Sequence, residues 1–222
     1  MNIQKKIEEI FTNIYERQLW GKNIYGDKYC SGPGTMDNKV ENYITVLKEF
    51  IEENQIKDIF EIGCGDFTIM SKVLKNFKGN YIGSDIVNNV VEYLSSKYSS
   101  KHLNFIHLDA ISCKELPKAD LCIIRQVLQH LSNAQILKII SKLKNFKYVI
   151  ITEHIPLYPE CKNGDKEPNG FIRLQNLLSS GVFLEEPPFS IKCRKLLSYR
   201  SDDLDSKRNI IPAIMLTTII EN

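Results

Sequence analysis

Two glycines around a cysteine, Gly63-Cys64-Gly65, follow the apolar run Ile59–Ile62, and an acidic residue, Glu61, stands just ahead of them. Glycine at such a place permits a sharp turn and lets a ligand come close to the backbone. In open parallel sheets these turns lie at the carboxyl ends of strands, where ligands bind. The next apolar run ends in Asp85, twenty residues past Gly65, and an acidic residue there can accept both hydroxyls of a ribose. The run after it ends in Leu108-Asp109-Ala110. The competing reading is that Asp85 and Asp109 only cap helices or turns. A dinucleotide fingerprint needs Gly-x-Gly-x-x-Gly, and Thr68 holds the third glycine's place, which disfavours an NAD-dependent oxidoreductase.

Proton chemistry falls first to His130, because an unperturbed imidazole titrates near ~6.5 and can take a proton from a hydroxyl. The alternative is that it caps or packs a short helix. His154 is the second candidate base and Glu153 a weaker one, whereas His102 and His107 read as structural. Arg125 and Arg173 carry guanidinium forks that match an anionic acceptor, set against a role in ordinary ion pairs. The loop Gly21–Gly34 ends in Ser31-Gly32-Pro33-Gly34 and is expected to fold over a bound ligand, with Tyr25 and Tyr29 walling the acceptor site. A plain connector between helices is the rival. There is no His-x-x-x-His or clustered-carboxylate motif, and nothing in the spacing of Asp109, Glu153 and His154 requires them to converge, so no required metal is expected.

These residues need a scaffold, and the apolar periodicity supplies one. Ile3, Ile7, Ile10 and Ile14 predict a helix over 2–19, and Val40, Tyr43, Ile44, Leu47 and Ile51 a second over 37–54. Strands are expected at Ile56–Ile62, Asn80–Ser84, Leu103–Leu108, Asp120–Ile124 and Tyr148–Thr152, with helices near 67–77, 87–98 and 133–144 between them. Such alternation argues for βαβ units and a parallel sheet. After a loop from Pro156 to Gly170 and a short helix near 172–178, strands at about 190–199 and 210–220 are separated only by Ser201–Arg208. That connection is too short for a helical crossover, so the two should pair antiparallel.

The 222 residues suit one domain, 1–54 forming a helical cap and ligand-covering loop and 55–222 the core. A net charge of +2 gives no global argument for nucleic acid. Six cysteines, at 30, 64, 113, 122, 161 and 193, form no Cys-x-x-Cys pair and read as reduced thiols. The Lys- and Glu-rich start is unlike a signal peptide, and no stretch reaches the ~20 apolar residues of a membrane span, so a cytoplasmic protein without membrane insertion is expected.

Glu61-Ile62-Gly63-Cys64-Gly65 resembles motif I of class I S-adenosylmethionine (SAM)-dependent methyltransferases, and the later segments follow in that family's order. SAM has no pyrophosphate, which makes the third glycine dispensable. The resemblance implies an α/β, Rossmann-like fold with a seven-stranded, mainly parallel sheet, a C-terminal antiparallel hairpin and an N-terminal helical cap. It implies SAM as cofactor and S-adenosylhomocysteine as product, held by Glu61, Gly63, Cys64, Gly65, Asp85, Ile86, Asp109, Ala110, Arg125 and Gln126. Asp109 would meet the adenine amino group, and the segment from Arg125 to Leu131 would face the transferred methyl.

From Trp20 to Phe189 the chain is also similar to a narrower group of bacterial methyltransferases associated with capsule and surface polysaccharide. That similarity lies in Ser31–Gly34, Cys64–Phe67, Arg125…His130-Leu131, Gly170–Leu177 and Pro187-Pro188-Phe189. Gln126 departs from that pattern where an acidic residue is expected, and Glu153 where a second Thr is usual. The implied reaction is methyl transfer to an oxygen of a small molecule or glycan. The rivals are a methyltransferase acting on RNA or protein, and a non-catalytic SAM-binding partner subunit.

Overall fold

The computed structural model describes residues 3–24, 26–35, 39–175, 179–205 and 207–222, with residues 3–5 described by their backbone alone. Its seven-stranded sheet has the order β3-β2-β1-β4-β5-β9-β6, mostly parallel with antiparallel C-terminal strands, and a two-stranded ladder pairs β7 with β8. This is the expected Rossmann-like arrangement. The chain forms two compact units, Met1–Leu121 and Cys122–Asn222. Among the described residues no helix is long and apolar enough to cross a membrane.

In the first unit α1 spans Ile3–Glu16 and α2 Val40–Glu53. β1 (Asp58–Ile62), α3 (Thr68–Val73), β2 (Asn80–Asp85), α4 (Asn88–Tyr98) and β3 (Leu103–His107) follow. The apolar positions of α2 recur three and four apart, so Val40, Tyr43, Ile44, Leu47 and Ile51, with Phe50, form its buried face. β1, β2 and β3 pair in parallel, Glu61 opposite Gly83 and Asp85 opposite His107. The start of β1 is fixed by the Asp120 carboxylate, which accepts the N–H groups of Lys57 and Asp58 at 2.8 and 3.0 Å. The helix expected over 67–77 is α-helical only to Val73 and closes as a 3-10 turn at Leu74–Asn76.

The second unit takes over within β4 (Leu121–Arg125), whose first four residues are fully buried. Next come α5 (Asn133–Ile140), β5 (Tyr148–Pro156), β6 (Arg194–Arg200), β7 (Asp203–Leu204), β8 (Ile210–Ile211) and β9 (Ala213–Glu221). α5 starts on a capping box, Ser132 with Gln135, and stops at Ile140, short of the expected 144, with a 3-10 turn at Leu143–Asn145. β5 runs past the expected Thr152, because β9 pairs with it continuously from Tyr148↔Glu221 to Pro156↔Ala213. The C-terminal hairpin is β6 against β9, antiparallel, and its connection carries the β7–β8 ladder. Of the helix expected near 172–178, the structure has a 3-10 turn at Arg173–Gln175, and 176–178 lie outside the described residues.

Candidate functional site

In the first unit β1 runs into Gly63 at φ 73° and Gly65 at φ 54°, backbone that a Cβ disfavours. The N–H groups of Gly63 and Cys64 both donate to the Ser84 carbonyl, at 2.8 and 2.9 Å. Gly65 N–H donates to Asp85 Oδ2 and Val87 N–H to Asp85 Oδ1, each at 3.0 Å. Asp85, at the end of β2, is therefore fastened to the glycine turn. Burial pushes its carboxyl pKa up, while the N–H groups of Val87, Gly65 and Ile86 pull it back down. A carboxylate offers about four acceptor positions, so three backbone N–H groups leave capacity for a ribose hydroxyl. A buried carboxylate with unused acceptor capacity beside a positive-φ glycine turn fits the ribose of SAM.

The other predicted cofactor residues of this unit divide by role. Glu61 turns its carboxylate onto the Tyr81 hydroxyl, and its carbonyl accepts the Ser84 hydroxyl at 2.8 Å, so it braces β1 against β2. The Cys64 thiol is pushed well up by burial and then by the charges of Asp85 and Glu61, which keeps it protonated and unreactive. Ile86 offers its carbonyl to His107 Nε2–H at 3.0 Å. Asp109 caps its own turn, accepting Ile111 N–H at 2.8 Å and the Ser112 hydroxyl at 2.7 Å, with Ala110 buried beside it.

The N-terminal segment reaches this turn. Ser31 N–H donates to Asp66 Oδ2 and Asp66 N–H donates to Ser31 Oγ, both at 2.7 Å. Asp27 accepts the Tyr93 hydroxyl at 2.9 Å and pairs with Lys97, and Asn89 donates to Glu16 at 2.7 Å, which ties the cap to α4. Tyr29 is 3% exposed and packs edge-on between Tyr15 and Tyr93, at centroid distances of 5.8 and 5.4 Å. That is the placement of an anchor in the cap rather than of an acceptor contact. Tyr25 lies outside the described residues.

In the second unit Glu153 is 3% exposed and accepts the N–H groups of Leu128 and Gln129, both at 3.0 Å. It fixes the 3-10 turn Leu128–His130 to β5, and burial raises its carboxyl pKa to about 7. Burial and then the charge of Lys166 lower the His130 pKa to about 4, so this imidazole is neutral at pH 7 and a weak base. His154 lies within β5 rather than past it, and its Nε2 meets the Ser201 carbonyl at 2.5 Å, which sets that nitrogen as a donor. Glu153 and His154, adjacent on a strand, point to opposite faces.

Arg173 corrects the anion-binding expectation. It is 0% exposed, and its guanidinium donates to the carbonyls of Gly164 and Leu131 at 2.5 and 2.6 Å, so it ties loops together. Arg125 donates to the Gln126 side chain and lies 3.5 Å from the Tyr199 hydroxyl, and Gln126 has φ 55°. A cavity of about 150 Å³ in this unit is floored by Ile151, Glu153, Leu216 and Thr218. Sequence reading missed Lys166, lowered to about 8 by burial and by Arg173, and it missed Ser31 and Asp66 as partners. Asp66-x-Thr68 is a readable local turn, with Thr68 N–H donating to Asp66 Oδ1 at 3.0 Å, but a pairing across 35 residues is not readable.

Residues 59–146, about two fifths of the chain, match the family model described as "Methyltransferase domain". This stretch is therefore similar to a methyltransferase domain. The fold is similar to that of the N-methyltransferase NodS from Bradyrhizobium japonicum WM9 in complex with S-adenosyl-L-homocysteine (TM-score 0.58, 12% identity, 99% of this chain and 98% of that one). It is also similar to magnesium protoporphyrin IX methyltransferase (ChlM) from Synechocystis PCC 6803 with bound SAM (TM-score 0.61, 14% identity, 99% and 97%). TehB from Haemophilus influenzae matches over 79% of this chain and 61% of that one (TM-score 0.54, 13% identity). At such identities the likeness establishes the fold. No curated protein matches the sequence.

Proposed function

We propose that the protein transfers the methyl group of SAM to an oxygen of a small molecule or glycan, a sugar or phosphate-type substituent used in surface polysaccharide synthesis, in the cytoplasm. The observation that carries the donor half is Asp85, buried, bonded to Gly65 N–H and retaining acceptor capacity at the end of β2. SAM supplies an activated methyl on a sulfonium; the chain's own residues bind it, orient it and exclude water. The acceptor class rests on the sequence similarity from Trp20 to Phe189.

Within that class, the second unit favours an acceptor oxygen that is already anionic. Burial weakens His130 as a base, and the Ser201 carbonyl holds Nε2 of His154 as a donor. A phosphate-type oxygen needs no proton removed. The test is SAM carrying a labelled methyl, incubated with purified protein and fractionated extract of the source organism. Label in a phosphorylated sugar, nucleotide-sugar or polysaccharide fraction supports the reading. Label in RNA or protein overturns the acceptor class while keeping the methyltransferase.

A further inference from the structure

Methyl transfer as proposed above makes no use of the cavity in the second unit. Its floor is the face of the β5–β9 ladder that sets Ile151 opposite Thr218 and Glu153 opposite Leu216, and the chain from Val182 to Glu186 walls it. Its volume of about 150 Å³ is that of a cavity able to take a benzene-sized molecule. Ile151, Val182 and Leu184, all buried, make its walls apolar. Glu153 lines it as a buried carboxylate. The N–H groups of Leu128, Gln129 and Val127 take three of the about four acceptor positions of that carboxylate and leave one. Among the described residues Glu153 has no ion-pair partner. Arg173, whose charge reaches it, directs its donors to the Gly164 and Leu131 carbonyls instead. At the rim Lys162 pairs with Glu186 and stands 5.8 Å from the centre of the Phe183 ring, while Glu185 is exposed. The lining thus sets three carboxyl groups against one ammonium, a sign that repels a phosphate-type acceptor. No group of three or more His, Cys, Asp or Glu side chains that could hold a metal ion occurs among the described residues. A buried carboxylate without a counter-ion, set in an apolar cavity, suits an organic cation.

We propose that this cavity binds a small organic cation, a short alkylammonium whose charged end rests on Glu153 and whose chain lies among Ile151, Val182 and Leu184. The site goes beyond the methyl-transfer reading and does not depend on it. Because the same carboxylate fixes the 3-10 turn Leu128–His130 to β5, the amides of Leu128 and Gln129 report occupancy. The experiment titrates the intact protein with butylammonium, 1-butanol and butyrate at about pH 8, where Glu153 is ionised and the amine still protonated. Butylammonium should bind about tenfold or more tighter than either isostere, the margin of a charge-assisted hydrogen bond. It should shift the Leu128 and Gln129 amide resonances. It should also slow alkylation of Cys193, which lines the cavity, by iodoacetamide, and leave the exposed Cys161 unaffected. Glu153→Gln should lose about tenfold or more in affinity, and Glu185→Gln, at the exposed rim, should lose less. Equal binding of butylammonium and 1-butanol, or unchanged affinity in a folded Glu153→Gln, would overturn the cation assignment. Tighter binding of butyrate would reverse the sign of the site. No binding of butylammonium, or binding without protection of Cys193, would remove the site.

Discussion

Glu153 and His130 titrate in opposite senses because burial penalises the charged form of each. The folded Glu153 carboxyl is raised to about 7, so the stability it contributes is full below its unfolded pKa of 4.5 and is lost as pH rises through about 7. His130 is lowered to about 4, so its contribution is full above 6.5 and is lost as pH falls through about 4. Acidification from pH 7.5 to 5 should therefore weaken Glu153→Gln more than the unaltered protein, by on the order of 1–3 kcal/mol in urea unfolding. Equal pH slopes would show that Glu153 is not held in this way. His130 should add no inflection near 6.5 to the pH–rate profile; one that vanishes in His130→Gln would restore it as the base. Arg173→Met should cost roughly 2–4 kcal/mol in stability, because two buried carbonyls lose a charged donor. A stable variant with only weakened acceptor binding would return Arg173 to the acceptor site. At this scale the sequence showed which residues carry chemistry and not what they touch. Asp85 could be placed from its strand end, but the burial of His130 and Arg173 depends on the loop 163–171, which has no periodicity to read.

At the scale of elements, legibility followed the strength of the apolar pattern. α2 was readable because its buried positions repeat strictly, and Leu47→Ala, at a residue 1% exposed, should cost about 2–5 kcal/mol in thermal or urea unfolding. A cost below about 1 kcal/mol would mean that this face does not pack as described. α5 declares its start through Ser132 and Gln135, and Ser132→Ala should cost about 1 kcal/mol. β5 was underestimated for a physical reason. Glu153 and His154 interrupt the apolar run, yet both are buried, one on backbone N–H groups and the other on a carbonyl. A single sequence does not show a polar side chain finding a buried partner, so the strand seemed to end where the charges began.

For the whole molecule, the alternation of strands with helices carried the mainly parallel sheet, and the short connection Ser201–Arg208 carried the antiparallel C-terminal hairpin; the order of the strands was not legible. The N-terminal cap was expected from its glycine-rich loop. Its attachment to Asp66, Tyr93 and Lys97 comes from residues 35 to 70 positions away, which no local pattern encodes. Whether the glycine turn and Asp85 hold SAM is decided by calorimetric titration of the unaltered protein and Asp85→Ala with SAM and with NAD. SAM should bind and NAD should not, and Asp85→Ala should keep its fold while losing about tenfold or more in affinity for SAM. Equal affinity in Asp85→Ala, or binding of NAD in place of SAM, would contradict it.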